Sequence, residues 1–403
     1  MSERNQSGPP SYRIPSFFVD PVARILVAIF LFAALLFRST ALSGFCLVLL
    51  LMSTGSKYWR KSGDPRVTCR FETGRLKTFP NETVHFRMEV DNGFFLPMEV
   101  RAWLRGTGEP GGVGSEDVPR TCRVGAHRSA VLQWTYTPRK RGVYALGPAL
   151  TEIGDGLGFF HRPRTLGRPL ELVVYPRIIP TAPFPWQARE IFGSLRTRGI
   201  VEDPVNVMGV RDYQPGRPAR YIHWKSSVRL NKLQEKTFEP TRRTRILLSV
   251  DVSGFQAAGD PDAFEEMLET AGSIAVNLDQ AGAAVGLITN ARIHGGHAPM
   301  VPVAMGPGQM PSMLELMARM TMEKTADLSM LARHALKKTS GAGWIAFAYS
   351  EDPDAAPGGL TAQGGKVPVT LITAKRSTRP FNPPKGVDVI SMDTLRRGGG
   401  EDP

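Results

Sequence analysis

Cysteine is scarce in this chain: Cys46, Cys69 and Cys122 are the only three in 403 residues. They are too few for a disulfide framework, and their spacing suggests no zinc site. An odd, sparse count fits a reducing compartment. Cys69 and Cys122 would pair only in an oxidising one and at suitable geometry. Phosphate-loop chemistry is missing too. The Gly-rich stretch around Pro110 to Gly114 lacks the lysine and the strand-to-helix setting that such a loop requires, and it reads as an exposed loop. No nucleophile elbow and no recognisable triad occur, so the expectation is that the protein is not an enzyme. Acidic residues are outnumbered, 37 against 50 Lys and Arg, for a formal charge of +13. That balance suits an anionic membrane surface or a nucleic acid. The basic residues are dispersed apart from runs such as Arg242, Arg243 and Arg245, and no nucleic-acid module is visible, so nucleic acid is not the expected partner.

The length exceeds one ordinary core and points to two or three domains. Residues 1–20 are polar and read as a flexible tail. Ile25 to Phe37 is wholly apolar, and Ala41 to Met52 nearly so, with Arg38-Ser39-Thr40 between them. Each run is short against the roughly 20 residues of a membrane span. With flanks, and with Arg24 snorkelling, residues 21–54 are expected to form a transmembrane helical hairpin. Arg4, Arg13 and Arg24 precede it, and Lys57, Arg60 and Lys61 follow it, with only Arg38 at the turn. The positive-inside bias then puts both ends on the cytoplasmic side of the inner membrane, with the lipid bilayer as a partner. A single long or re-entrant anchor and a cleaved signal peptide are the alternatives.

Residues 64–178 alternate with period two. Val84, Phe86, Met88 and Val90 make one run; Val100, Ala102 and Leu104 a second; Ala130, Leu132, Trp134 and Tyr136 a third. Asp91-Asn92-Gly93 and Pro138 to Gly142 are turn chemistry between runs. Short alternating strands predict an antiparallel β-sandwich. His85, His127 and His161 are scattered and read as surface or locally satisfied histidines.

Residues 179–240 read as a linker carrying the most distinctive motif. Gln214-Pro215-Gly216 is a turn. Arg211, Arg217, Arg220, Lys225 and Arg229 surround Tyr213, Tyr221 and Trp224. Such a cluster can hold an anion, stack arginine on aromatics or bind a partner's carboxylates. The order Arg211, Tyr213, Gly216, Arg220, Ile222, His223, Trp224, Ser227, Arg229 resembles the bacterial domain-of-unknown-function fifty-eight family. Arg217 stands where that family usually has Asp, and Val228 where it has Ala. Arg141-Gly142-Val143-Tyr144 and Asp155 to Phe160 resemble the end of the family's β-domain. The resemblance implies a MoxR-type AAA ATPase as partner, and other envelope proteins as further partners. Arg211, Tyr213, Gly216, Arg220, His223, Trp224, Lys225 and Ser227 are the expected interface, or else a structural corner. His223 reads as a structural hydrogen-bonding histidine rather than a general base.

Residues 241–395 alternate buried strands with helices and predict a doubly wound, mainly parallel α/β domain. Arg245 to Asp251 is the first strand. Asp260-Pro261 caps a helix whose apolar face runs from Phe264 to Leu278, and Gly282 ends it. Further helices are expected over Pro311–Met320 and Leu328–Lys338, and strands over Ala284–Thr289, Trp344–Tyr349 and Val367–Ile372. Five methionines between Met305 and Met320 have helical spacing, which favours core over an adaptable partner groove. Asp251-Val252-Ser253-Gly254-Phe255 resembles the D-x-S-x-S motif of von Willebrand factor type A-like domains. Phe255 replaces the second serine, and Ser350-Glu351-Asp352 forms the later acidic loop. Asp251 and Ser253 could hold Mg²⁺ at a degenerate site, or Asp251 could simply cap a turn. The chain from Asp388 onward should fray, ending in a tail at 396–403.

The expected protein is therefore multidomain: transmembrane hairpin, β-sandwich, then a von Willebrand factor type A-like domain. Its expected role is a membrane-anchored scaffold or adaptor, in envelope protein assembly or activation. A metal-dependent hydrolase-like enzyme and a basic nucleic-acid-binding protein are the alternatives.

Overall fold

The computed structural model describes residues 21–63, 66–104, 106–107, 113–114, 119–155, 161–181, 202–213, 222–240, 244–338, 342–350, 369–375 and 387–397. They fall into two units, Met1–Val174 and Tyr175–Pro403.

The first unit opens with helices α1 (Pro21–Leu36) and α2 (Thr40–Gly63), which pack against each other around the turn at Arg38. The transmembrane hairpin expected over 21–54 is overturned: among the described residues no helix is long and apolar enough to cross a bilayer. The physical reason is length and composition. The 16 residues of α1 span about 24 Å at 1.5 Å per residue, less than the roughly 30 Å hydrocarbon core. The apolar run in α2 stops at Met52, after which come Ser53, Thr54, Ser56, Lys57, Arg60 and Lys61.

Twelve strands follow: β1 (Val67–Phe71), β2 (Arg75–Thr78), β3 (Val84–Asn92), β4 (Met98–Trp103), β5 (Gly106–Thr107) and β6 (Val113–Gly114), then β7 (Arg120–Val124), β8 (Ser129–Thr137), β9 (Gly142–Leu146), β10 (Ala149–Asp155), β11 (His161–Leu166) and β12 (Leu170–Val174). They form three four-stranded sheets, ordered β1-β3-β8-β6, β11-β10-β4-β7 and β2-β12-β9-β5. The period-two alternation sends Met88, Val90, Val100, Trp134, Leu170 and Leu172 into one shared core. A purely antiparallel domain is corrected in one place, because β2 and β12 pair in parallel. No hairpin turn links these two strands, so none dictates their direction. Arg75 Nε sits 2.6 Å from Glu171 Oε2, on residues that are direct partners in that register.

In the second unit, the stretch expected as a linker holds ordered structure. Strands β13 (Glu202–Asp212) and β14 (Gln234–Pro240) form an antiparallel pair, and helix α3 (Trp224–Leu230) lies in their connection. The α/β elements follow: β15 (Arg245–Val250), α4 (Ser253–Ala258), α5 (Pro261–Gln280), β16 (Ala284–Thr289), β17 (Ala291–Ile293), β18 (Met300–Ala304), α6 (Gln309–Arg319) and β19 (Met320–Lys324). The chain continues through α7 (Leu328–Lys338), β20 (Gly343–Ala348), β21 (Val369–Thr373), β22 (Val387–Ser391) and α8 (Met392–Arg397).

The six-stranded sheet runs β18-β16-β15-β20-β21-β22 and is parallel except for the edge strand β18. Its central strands β15, β16 and β20 are buried at every position except Arg245, the exposed first residue of β15, as both-face coverage requires. Leu247, Trp344 and Ala346 pack with Leu328, Ala332 and Ala335 of α7. The α5 face that includes Phe264, Met267, Leu268, Ala271, Ile274 and Leu278 is also buried. Asp260 caps α5 by accepting from Ala263 N at 3.0 Å. Of the methionine run, Met313, Met317 and Met320 are core, while Met305 is exposed. The segment expected to fray from Asp388 instead pairs with β21 and continues into α8, where Met392 and Leu395 are buried. Arg396 ties α8 to α5 through Glu269 at 3.2 Å.

Candidate functional site

Two places carry the residues singled out above, and each is built by a different part of the second unit. The first is the β13–α3–β14 hairpin. His223 N donates to Gln234 O at 2.8 Å, and Tyr213 N donates to Leu233 O at 2.9 Å, so both ends of the connection are tied to the hairpin. Ser227 Oγ donates to His223 O at 3.0 Å and accepts from Gln234 N at 2.9 Å, which fastens α3 to β14. His223 is the N-cap of α3. Its Nδ1 accepts from Ser226 N at 3.2 Å and lies 2.7 Å from Ser226 Oγ. An Nδ1 that takes a backbone N–H has its lone pair directed into the cap, so this nitrogen holds the helix rather than serving a substrate. Asn231, in the left-handed region at φ 49°, ends the helix.

Under this frame lies Glu235, fully buried, with Arg211 Nε 2.6 Å from its Oε1. The two are cross-strand partners in the hairpin register. Charge pairing at close range offsets part of the cost of taking the carboxylate out of water. Above the frame, Trp224 is 64% exposed and Val228 81% exposed. They are four residues apart, hence on one side of α3. Leu230 and Leu233 are exposed as well, as are Lys225, Arg229 and Lys232. The result is an apolar face with a basic rim on a capped helix. Of the expected interface residues, Arg211, Tyr213, His223, Trp224, Lys225 and Ser227 come together here. Gly216 and Arg220 lie outside the described residues. Glu235 and Val228 were not anticipated as members. The register that sets Glu235 against Arg211 needs the turn length, and the turn was not read as closing a hairpin.

The second place is the carboxyl end of the parallel sheet. The chain passes from β15 to β16 on one side and later crosses over to β20 on the other, so the strand order reverses at β15. In open α/β sheets a ligand crevice is expected at that switch point. Asp251 sits there, its N donating to Phe347 O at 2.9 Å. Its Oδ1 accepts from Ser253 N at 2.8 Å and from Asn290 Nδ2 at 2.8 Å. Asn290 Nδ2 also reaches Ser253 Oγ at 3.1 Å, and Asn290 Oδ1 accepts from Val252 N at 2.9 Å. Phe255, where a second serine would supply a hydroxyl, is fully buried against Phe264 and Tyr349, with ring centroids 5.5 and 5.3 Å away. A Cβ added at Gly254 would meet Tyr349 Cβ at 2.6 Å, so the switch point is filled by protein.

These residues do not fit a divalent ion as they stand. A cation shared by Asp251 Oδ1 and Ser253 Oγ would have to lie between them, and an N–H-bearing nitrogen already bridges those two oxygens. Among the described residues, no group of three or more His, Cys, Asp or Glu side chains could hold a metal. Glu351 and Asp352 lie outside the described residues. Asn290 was missed from sequence, although its place directly after β16 puts it at the same sheet end as Asp251.

Two solved structures overlap a short part of the chain at low scores. The complex of zinc α2-glycoprotein with prolactin-inducible protein from human seminal plasma gives a TM-score of 0.21 at 13% identity, over 27% of this chain and 93% of that one. The E. coli chaperone DraB gives 0.19 at 14% identity, over 27% and 55%. Likenesses this weak carry no argument. Among curated proteins, an "Uncharacterized protein YeaD" of Bacillus subtilis (strain 168) is 26% identical over 219 residues, 53% of this chain and 51% of the relative. The chain thus spans about half the length of the curated relative it matches. Residues 209–346, from the hairpin through the center of the parallel sheet, match the model of the family described as "Protein of unknown function DUF58".

Proposed function

We propose that this protein is a protein-interaction scaffold or adaptor whose docking surface is the outer face of α3, and that its partner is a MoxR-type AAA ATPase acting in envelope protein assembly or activation. One observation carries the reading. Trp224 and Val228 are held out to solvent on a short helix that is capped at both ends and bolted to β14 through Ser227. A large exposed aromatic on a pre-ordered element is the usual anchor of a protein interface, because little side-chain or backbone freedom is left to lose on binding. The rim of Lys225, Arg229 and Lys232 fits an acidic segment flanking an apolar pocket on the partner. The ATPase identity rests on the motif resemblance, and the reading needs no bilayer-crossing segment.

A hydrolytic role has less support. His223 Nδ1 is spent in a helix cap, and the Asp251 carboxylate already takes two N–H donors through one oxygen.

The test is native co-purification from the source cells, comparing wild type with a Trp224→Ala, Val228→Asp variant of matched Tm. Recovery of an AAA ATPase with wild type alone supports the proposal. Equal recovery with both moves the interface off α3, and recovery with neither removes the ATPase from the proposal.

A further inference from the structure

We propose that the side-chain amide of Asn290 is this protein's built-in replacement for a divalent cation at the carboxyl end of the sheet, so that the two loops meeting there are joined without metal. In an ion site of this shape, a cation draws together oxygens from separate loops. Here Asn290 makes the same junction covalently anchored to β16. Its Nδ2 donates to Asp251 Oδ1 at 2.8 Å and to Ser253 Oγ at 3.1 Å, using the two hydrogens of one NH₂ group on the two oxygens. Its Oδ1 takes Val252 N–H at 2.9 Å. Its backbone carbonyl accepts from Thr325 N at 2.9 Å, which brings in the segment after β19. One residue, 1% exposed, thereby joins three loops.

The amide cannot be turned the other way. Exchanging its oxygen and nitrogen would set Oδ1 against the Asp251 carboxylate and NH₂ against the Val252 N–H, two repulsive contacts in place of two hydrogen bonds. The orientation follows from the neighbours, and with it the polarity: hydrogens, not lone pairs, fill the space between Asp251 and Ser253. A carboxylate in place of this amide would reverse that polarity. Two buried carboxylates would then face each other at close range, which disfavours their joint ionisation unless a cation lies between them. The difference between a metal-free junction and a metal site is thus one substitution, Asn290→Asp.

The experiment uses the full chain, Mn²⁺ as the probe, and two readouts: bound Mn²⁺ by electron paramagnetic resonance and Tm by calorimetry. Wild type should show no saturable Mn²⁺ site that depends on Asp251 and no Mn²⁺-dependent change in Tm. Asn290→Asp should melt several degrees below wild type in chelator, recover with Mn²⁺, and bind one ion per chain in a manner lost on adding Asp251→Ala. A wild-type protein that binds one Mn²⁺ per chain, with the site removed by Asp251→Ala, would overturn the proposal. A folded Asn290→Asp that ignores Mn²⁺ would count against it equally. Should that variant not fold, Asn290→Ser removes the bridging NH₂ and leaves an oxygen: an Mn²⁺ response there supports the proposal, and none weighs against it.

Discussion

Arg211 Nε lies 2.6 Å from Glu235 Oε1, across the β13–β14 register, with the glutamate fully buried and the arginine half exposed. The pair joins the two strands to which the helix with the exposed tryptophan is fastened, so it stabilises the platform rather than the contact. Arg211→Ala should lower unfolding stability by about 1–3 kcal/mol, the range expected when a buried group loses a partner. Glu235→Gln should cost less, because it removes the buried charge along with the ion pair. Urea denaturation of both variants checks the order. An Arg211→Ala midpoint equal to wild type would show that Glu235 is held by its other surroundings.

The same platform predicts a division between residues that fold α3 and residues that face outward. Trp224→Ala and Val228→Asp alter exposed side chains and should each stay within about 0.5 kcal/mol of wild type. Ser227→Ala removes the bonds of a buried hydroxyl, among them those to His223 O and from Gln234 N, and should cost about 1–2 kcal/mol. Circular dichroism melts of the three variants decide it. A Trp224→Ala loss as large as that of Ser227→Ala would make the tryptophan part of the fold.

Period and caps made much of the α/β unit legible. Leu247, Leu248 and Val250 are a short apolar run, Asp260-Pro261 is a helix start with a mechanism, and the apolar spacing from Phe264 to Leu278 is helical. What sequence hid was pairing at a distance. Nothing local in Val387 to Ser391 announces a fifth parallel strand, since its support is β21 and the burial of Met392 and Leu395. Asn290 reads as an ordinary strand-ending polar residue until Asp251 and Ser253 are brought beside it. The membrane-spanning reading of the N-terminal hairpin failed for a countable reason: α1 is short, and the apolar run of α2 ends while the helix continues through polar and basic residues. The signature residues were found, but their frame was not, because a two-stranded pair closing over a helix has no fixed turn length to recognise.

Thiol chemistry gives a prediction on the first unit. Burial, then the charges of Cys122 and Asp91, push the Cys69 thiol from 9.0 to about 12; burial and Glu99 push Cys122 from 9.0 to about 11. Both groups are neutral when protonated, and the folded state holds those protons more tightly. Their contribution to stability is therefore fully present below pH 9 and is lost as pH rises through 9 toward 11 and 12. Cys69 should also resist alkylation at pH 8 in the native protein and react once denatured. Mass spectrometry after iodoacetamide treatment reads this. Native Cys69 labelled as fast as the denatured chain would mean that β1 opens readily.

Two opposing effects meet at Gly254, and their sizes can be ranked. Gly254 lies inside α4, where alanine would ordinarily be favoured over glycine by about 0.8–1.0 kcal/mol. Yet an alanine Cβ would come 2.6 Å from Tyr349 Cβ, an atom fixed directly to the backbone after β20. Such a neighbour cannot swing aside, and forcing a methyl into close packing costs about 1–3 kcal/mol. The clash should therefore win, and Gly254→Ala should lower the denaturation midpoint. The cause is separable in a double-mutant cycle. Tyr349→Phe keeps the Cβ and should leave the Gly254→Ala penalty intact. Tyr349→Gly removes it and should turn that penalty into a gain. If Gly254→Ala raises the midpoint with Tyr349 in place, α4 has moved away from β20, and the filled switch point described above is looser than its distances imply.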